Sequence, residues 1–449
     1  MLDMKNTPSS LLQISSSLLL LVLSGASVKA QTTWNNPTTN AFWNVAGNWS
    51  NGVPTSTTDV FFSGTGGDIL INASVSNAFK SLKFNANDSD YTLKSSDDTK
   101  RNLIGPSSGT SVFQAGFGAT NSTLTIENLF IRAYQTSSLG DNGSGNSLIV
   151  TGNTQLDTYY TAGFRIGSGT GSIAANSNNT LTVQNGALFA SGNITVGGKG
   201  EGNKIIVTGS GTILRSNNTS PGLGLTIGNS TSAATNRVEI TNGATAELTT
   251  TSTAIVGGAL MVGKGSSLNH ISTTQVQELR IGSKGTLFGA GSIKVGILRY
   301  DSALSGAGGG KVYIGETAAG FGELDFTGTW QNSNITLNLE VGDLTGGAVA
   351  GTNYDLLDIT GAFAFGGNIS IDISGAIFGA VDELQIISWT SSTGLPTDLN
   401  VSFVNGNSTG YVIREDGLYL QSIPEPGAIA LLALGGCGLG LLARNKRKA

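Results

Sequence analysis

The chain carries one histidine, His270, in the stretch SSLNHISTTQ. A serine-type triad needs an imidazole held by a carboxylate and set beside a nucleophile. Nothing around His270 marks such a set, so it reads as a surface or turn residue. No HExxH pattern and no cluster of His and Cys offers a zinc site. Glycoside cleavage asks for two carboxyls roughly 5–10 Å apart. In a repeated β fold those would be acids at equivalent positions of adjacent units, but Glu127, Glu239 and Glu247 are matched elsewhere by Thr, Gln or Ala. They read as solvated outward residues, and no enzyme activity is expected. Asp88 and Asp90, Asp97 and Asp98, and Asp141 in DNGSGN would have to give calcium six to eight oxygens. That last stretch lacks a closing Glu and does not repeat, so Asx-turns are the simpler assignment. The runs VGGKGEGN and GAGGGKVYIG lack the GxxxxGKS/T pattern and sit between strands, so they are not phosphate loops. Neither a metal nor a cofactor is expected.

The composition points the same way. Only 12% of the 449 residues are charged, about half the usual globular share, while 39% are hydrophobic and 65 are Gly. A core can form, and abundant Gly, Ser, Thr and Asn suit a turn-rich β protein. The only cysteine is Cys437, close to the C-terminus, so the body has neither a disulfide nor a redox thiol. Setting aside Asp3, Lys5 and Lys29 at one end and Glu425, Arg444, Lys446, Arg447 and Lys448 at the other leaves 18 cationic and 27 anionic side chains, a net −9. An acidic, aromatic-poor surface argues against nucleic acid, whose partners show a basic face.

Internal repetition decides the fold. Apolar-x-apolar triplets leading into Gly or Asn turns recur as LTIENL, LIVTGN, LTVQNG, IIVTGSG and VEITNG. They place Ile126, Val150, Val183, Val207 and Ile240 at spacings of 24, 33, 24 and 33 residues. A second series, FRIGS, ITVGG, LTIGN, AIVGG and LRIGS, places Ile166, Val196, Ile227, Val256 and Ile281 at 30, 31, 29 and 25. Each triplet is a short strand with alternate side chains inward. A unit with two or three such strands cannot bury its apolar face alone, and stacking units does so. The expected fold is all-β, a right-handed parallel β-solenoid; a series of antiparallel sandwiches is the alternative. The stretch 33–64, with Trp34, Trp43 and Trp49, reads as an N-terminal cap whose aromatics plug the core. A sugar-stacking platform is its functional alternative, with Trp43 and Trp49 as glycan contacts. After about residue 300 longer strands imply a smaller C-terminal β region, as final coils or a capping sandwich.

The two ends carry addresses. Lys5, an apolar stretch at 18–23 and small residues at Val28 and Ala30 form a secretory signal helix, with cleavage expected after Ala30 by way of the Sec translocon. At the other end stand Pro424, Glu425 and Pro426. A 17-residue apolar helix follows from Gly427 through Leu431, Leu434 and Leu439 to Ala443, about 25 Å long and at the short limit for spanning a membrane. Arg444, Lys446, Arg447 and Lys448 close the chain on the cytoplasmic side. The expected divisions are therefore 1–30 signal, 31–100 cap and first coils, 101–300 repeat solenoid, 301–422 C-terminal β region and 423–449 transmembrane segment.

The tail closely resembles the PEP-CTERM sorting domain of exopolysaccharide-producing Gram-negative bacteria. That resemblance implies recognition by an exosortase, a membrane transpeptidase, with processing at or near the Pro-Glu-Pro motif. The body resembles autotransporter-associated β-strand-repeat proteins, on W…GNWSNGVP…D…F (43–61), GTLFGAGSI (285–293) and NYDLLDITGAFAFGGNISI (353–371). No translocating barrel follows it, so an autotransporter mechanism is not implied. Together these features lead to an exported, non-catalytic surface or matrix protein, held transiently in the inner membrane and associated with exopolysaccharide. The alternative is a carbohydrate-active β-helix, either a glycan-binding adhesin or a polysaccharide lyase.

Overall fold

The computed structural model describes residues 31–36, 41–76, 78–107, 111–158, 163–217, 222–228, 235–249, 252–271, 277–302, 309–331, 334–364, 366–378, 383–392, 400–404 and 409–422. The signal helix, its cleavage position Ala30 and the whole 423–449 tail lie outside them. Among the described residues the regular structure is β-strand apart from two short 3-10 turns, Ala46–Asn48 and Ala174–Asn176. No helix there is long and apolar enough to cross a membrane.

The strands coil. Thr180–Gln184, Leu188–Ser191 and Ile194–Val196 make one turn of the coil, and Lys204–Thr208, Ile213–Ser216 and Gly222–Ile227 make the next. Each strand pairs in parallel with its counterpart one coil on, Leu181 beside Ile205, Phe189 beside Leu214 and Val196 beside Ile227. The outcome is a β-solenoid with three parallel ladders, one forming a 14-stranded sheet and two running side by side in a 24-stranded sheet. Antiparallel strand pairs occur only at the C-terminal end of the described residues, where the hairpin Thr409–Arg414/Gly417–Ser422 lies against Glu383–Ser392 and buries Leu418 and Leu420. The sandwich alternative is thereby set aside.

The register follows the two periodic series. Ile126, Val150, Val183, Val207 and Ile240 are successive partners in the 14-stranded sheet. Ile166, Val196, Ile227, Val256 and Ile281 are successive partners in the other. All ten are fully buried, and burying a side chain of this size contributes about 1.5–3 kcal/mol. One-residue slips would turn every such column outward, so the pattern fixes the register.

A third device holds the corner that leads into the 14-stranded sheet. Asn146, Asn179, Asn203 and Asn236 are buried and stacked coil upon coil. The Asn146 and Asn179 amide N–H groups donate to Asn179 and Asn203 Oδ1, each at 3.1 Å, and Asn203 donates to Asn236 Oδ1 at 3.0 Å. The side-chain Nδ2 groups of Asn146, Asn179, Asn203 and Asn236 donate to carbonyls of Ala119, Gly143, Asn176 and Gly200. The turns bond from coil to coil through only some of their backbone groups, such as the Asn121 N–H to the Ser144 carbonyl and the Gly145 N–H to the Ser177 carbonyl, and the Asn column satisfies others. Gly140, at φ +68°, abuts Asn179 so closely that a Cβ there would overlap its amide; only glycine tolerates both conditions.

Among the described residues beyond 300 the parallel ladders continue. Thr286–Gly289, Gly310–Ile314, Ile335–Glu340, Asn368–Asp372 and Asn400–Val404 extend the 14-stranded sheet in parallel. What changes is the coil. From Ser292–Tyr300 onward the two side-by-side ladders merge into single nine- or ten-residue strands, Glu323–Gln331, Leu356–Ala364 and Glu383–Ser392. The C-terminal β region is thus a set of two-strand final coils.

Candidate functional site

The three cap tryptophans are inside. Trp43 is 1% exposed and Trp34 and Trp49 are 4% exposed. Trp49 stands edge-on to both of the others with ring centroids 4.8 Å apart, and its Nε1 donates to the Trp43 carbonyl at 2.7 Å. Phe62 closes the cluster. The expectation of glycan contact at Trp43 and Trp49 is corrected by this packing: their faces are occupied by each other and by the end of the core.

His270 is also corrected. It ends the strand Ser267–His270, 4% exposed, at the inward position that Ser191, Ser216 and Leu248 hold in preceding coils. Glu239 and Glu247 do face outward, where they pair with Arg237 at 2.8 Å and Arg215 at 2.6 Å. Asp97 accepts from the Thr99 amide two residues on at 3.3 Å, an Asx-turn, and pairs with Arg101. Among the described residues no group of three potential ligands could hold a metal ion.

The concave feature lies elsewhere, on the corner where the 14-stranded sheet hands over to the merged ladder. Successive coils turn this corner with segments of different length. The turns at 263–266 and 290–291 are short, whereas 315–322 is a long turn that folds back as a lip. Glu316 on the lip reaches across the intervening coil and accepts from the Lys264 amide at 2.8 Å. The result is a cleft of about 700 Å³ with Lys264–Ser267 on one wall, Ala290–Ser292 on the floor and Glu316–Asp325 opposite, a volume in the range of small-ligand sites.

Asp355 anchors the lip. Its carboxyl is buried and accepts from the Gly322 amide at 2.8 Å and the Glu340 amide at 2.7 Å. Burial pushes it up to about 8, against the pull of those two N–H donors and with the help of the nearby Glu340 charge. Glu323 and Asp325 are consecutive outward residues of Glu323–Gln331, and neither joins an ion pair among the described residues. Asp325 stands in register with Ser292 on one side and Asp358 on the other. Burial and then the Asp358 charge raise its carboxyl above the usual range. Acids at equivalent positions of adjacent coils therefore do occur, in the final coils rather than in the repeats where Glu127, Glu239 and Glu247 lie. Asp358 itself accepts a hydrogen bond from Ser388 Oγ.

On the outer face of the 14-stranded sheet, Phe288 and Tyr313 are ladder partners with rings stacked 5.3 Å apart at 15°. Met261 precedes them and Asn338 follows in the same outward column. The Arg237 guanidinium lies 5.5 Å from the Phe288 ring and donates to Met261 Sδ at 3.2 Å. The legible signal was an aromatic at the middle, outward position of an apolar-x-apolar triplet, Leu287-Phe288-Gly289 and Val312-Tyr313-Ile314.

Compared with known proteins, the chain matches no family model, no curated protein and no solved structure.

Proposed function

We propose that this protein is an exported, non-catalytic surface or extracellular-matrix component that associates with exopolysaccharide. In this proposal its coils are right-handed, the hand that parallel crossovers take in nearly all cases. A signal peptide ending at Ala30 directs export. The Pro424–Glu425–Pro426 motif, the Gly427–Ala443 membrane helix and the Arg444–Lys448 tail present the chain to an exosortase-type transpeptidase. The observation that carries the proposal is the disulfide-free rod, one register-locked stack extending from Gln31 to the edge of the sorting segment. Such a rod stays folded without redox chemistry and displays long outward rows. A glycan-binding adhesin is a narrower version of the same role, favoured by the lipped cleft with its Glu316, Glu323 and Asp325 carboxylates. Removing residues 424–449 tests the proposal. The shortened chain should keep its β-sheet circular dichroism yet lose its place at the cell surface or in the matrix, and unchanged localisation would sink the idea.

A further inference from the structure

We propose that one ladder of the 24-stranded sheet carries a self-complementary outer face on which a second copy of this chain docks, its rod running in the opposite direction. The ladder is the run of parallel strands Arg101–Ile104, Leu129–Ala133, Gln155–Thr158, Leu188–Ser191, Ile213–Ser216, Thr245–Leu248 and Ser267–His270. Its register sets two outward rows side by side. One is Phe130, Gln155, Leu188, Ile213 and Thr245; the other is Arg132, Asp157, Ala190, Arg215 and Glu247. The second row reads plus, minus, neutral, plus, minus, and reversed it becomes its own complement. A two-fold axis laid along the central strand, Leu188–Ser191, performs that reversal. Arg132 then faces Glu247 of the second copy, Asp157 faces Arg215, and Leu188 and Ala190 face themselves. Within one chain Arg132 already pairs with Asp157 at 2.8 Å and Arg215 with Glu247 at 2.6 Å. The two-fold lays each pair on the opposite pair, so the charges alternate around a square of four.

Charge also fixes the register. A slip of one coil sets Arg132 against Arg215, and a slip the other way sets Asp157 against Glu247, so both wrong registers meet like charges. Half-buried Leu188 and Ile213 stand between the two ion pairs and form an apolar centre inside a charged rim. The remaining charges on this side do not oppose the match. Lys100 lies 6.0 Å from the Phe130 ring and 3.5 Å from Gln155 Oε1, where it faces Thr245 and Ile213 of the second copy. The turn before the first strand, with Asp97, Asp98 and Arg101, comes opposite Lys264 in the turn before the seventh. At about 4.8 Å between strands and about 3.3 Å per residue, the face measures roughly 29 by 13 Å. That size places the contact among small, reversible interfaces rather than permanent ones. The match stands on this ladder alone and needs neither the tail nor a glycan.

The test follows the full chain in detergent micelles by sedimentation over a dilution series. The wild type should form a dimer that dissociates on dilution. Arg215→Glu with Glu247→Arg keeps an ion pair within the chain but sets like charges across the two-fold, and should weaken dimerisation at least ten-fold. Adding Arg132→Asp with Asp157→Arg restores the alternation and should restore the dimer, with the melting profile confirming the fold of each variant. Cross-linking provides a check that does not depend on the charge variants. In a Cys437→Ser background, Leu188→Cys lies against its own copy and should give a disulfide-linked dimer under mild oxidation. Asn269→Cys lies roughly 29 Å from its own copy and should give none, since a disulfide needs Cα atoms within about 7 Å. A chain that is monomeric throughout the series would overturn the interface, as would a folded four-fold variant that stays monomeric. Cross-linking as fast at Asn269→Cys as at Leu188→Cys would overturn it too. A dimer that the first exchange leaves equally tight would also overturn it and assign the self-association to another part of the chain.

Discussion

Replacing Asn179 with alanine isolates the interaction on which the solenoid corners depend. Its side chain accepts from the Asn146 amide and Asn146 Nδ2, and donates to the Gly143 carbonyl and to Asn203 Oδ1. Asn203 Oδ1 keeps the Asn179 backbone donor and Asn146 Nδ2 keeps the Ala119 carbonyl, so alanine strands two groups, the Asn146 N–H and the Gly143 C=O. At about 1–3 kcal/mol for each buried group left unsatisfied, the loss is about 2–6 kcal/mol. A stacked repeat does not unfold as one unit, so the damage should appear locally rather than as a uniform shift in melting. Amide exchange at Asn146 and Asn179 should accelerate by roughly thirty-fold to twenty-thousand-fold, at ten-fold per 1.4 kcal/mol, with little change at Ile335–Glu340. Thr182→Ala, an outward position in the same coil, provides the comparison and should cost well under one-tenth of that protection. Equal exchange in the Asn179→Ala and wild-type chains would refute the claim that the asparagine column holds the corner.

Trp43→Ala should cost about 3–5 kcal/mol, as large-to-small changes in a core do, and should open the N-terminal coils to protease; undiminished resistance there would show that the tryptophans are not the plug. Asp355 gives a pH dependence. Folded, it keeps its proton to about 8, whereas a free carboxyl loses it near 4. The folded state therefore binds more protons across that interval, so the final coils are most stable at its acid end, weaken as pH rises toward 8 and level off above it. Corrected exchange protection of the Gly322 and Glu340 amides should fall between pH 5 and 8 in the wild type and stay flat in Asp355→Asn. A flat wild-type profile would contradict the assignment.

Much of this architecture was legible because two ladders repeat a simple code, two inward aliphatics around one outward residue, closed by a Gly or Asn turn. Ile126 through Ile240 and Ile166 through Ile281 pair as their spacing implies. The ladder between them was not legible. Its inward positions alternate a large residue with a small or polar one: Leu156 with Thr158, Phe189 with Ser191, Leu214 with Ser216, Leu268 with His270. Buried hydroxyls and an imidazole break the apolar alternation by which strands are recognised. The same column explains why the lone histidine, plausible at the surface, is buried. The cap tryptophans were correctly placed at the core end, and it is their packing there that removes them as a sugar platform. The cleft was invisible for another reason. It arises from the unequal lengths of three corner turns, and the contact that shapes it, Glu316 to Lys264, spans 52 residues.

The measurement that bears most directly on the account is the intact mass of the protein isolated from the surface or matrix of native cells. The proposal predicts a chain that begins at Gln31 and has lost its end at or near Pro424–Glu425–Pro426, well below the 45.8 kDa of the full sequence. A surface or matrix protein of the full 45.8 kDa, retaining Met1 and Ala449, would contradict it.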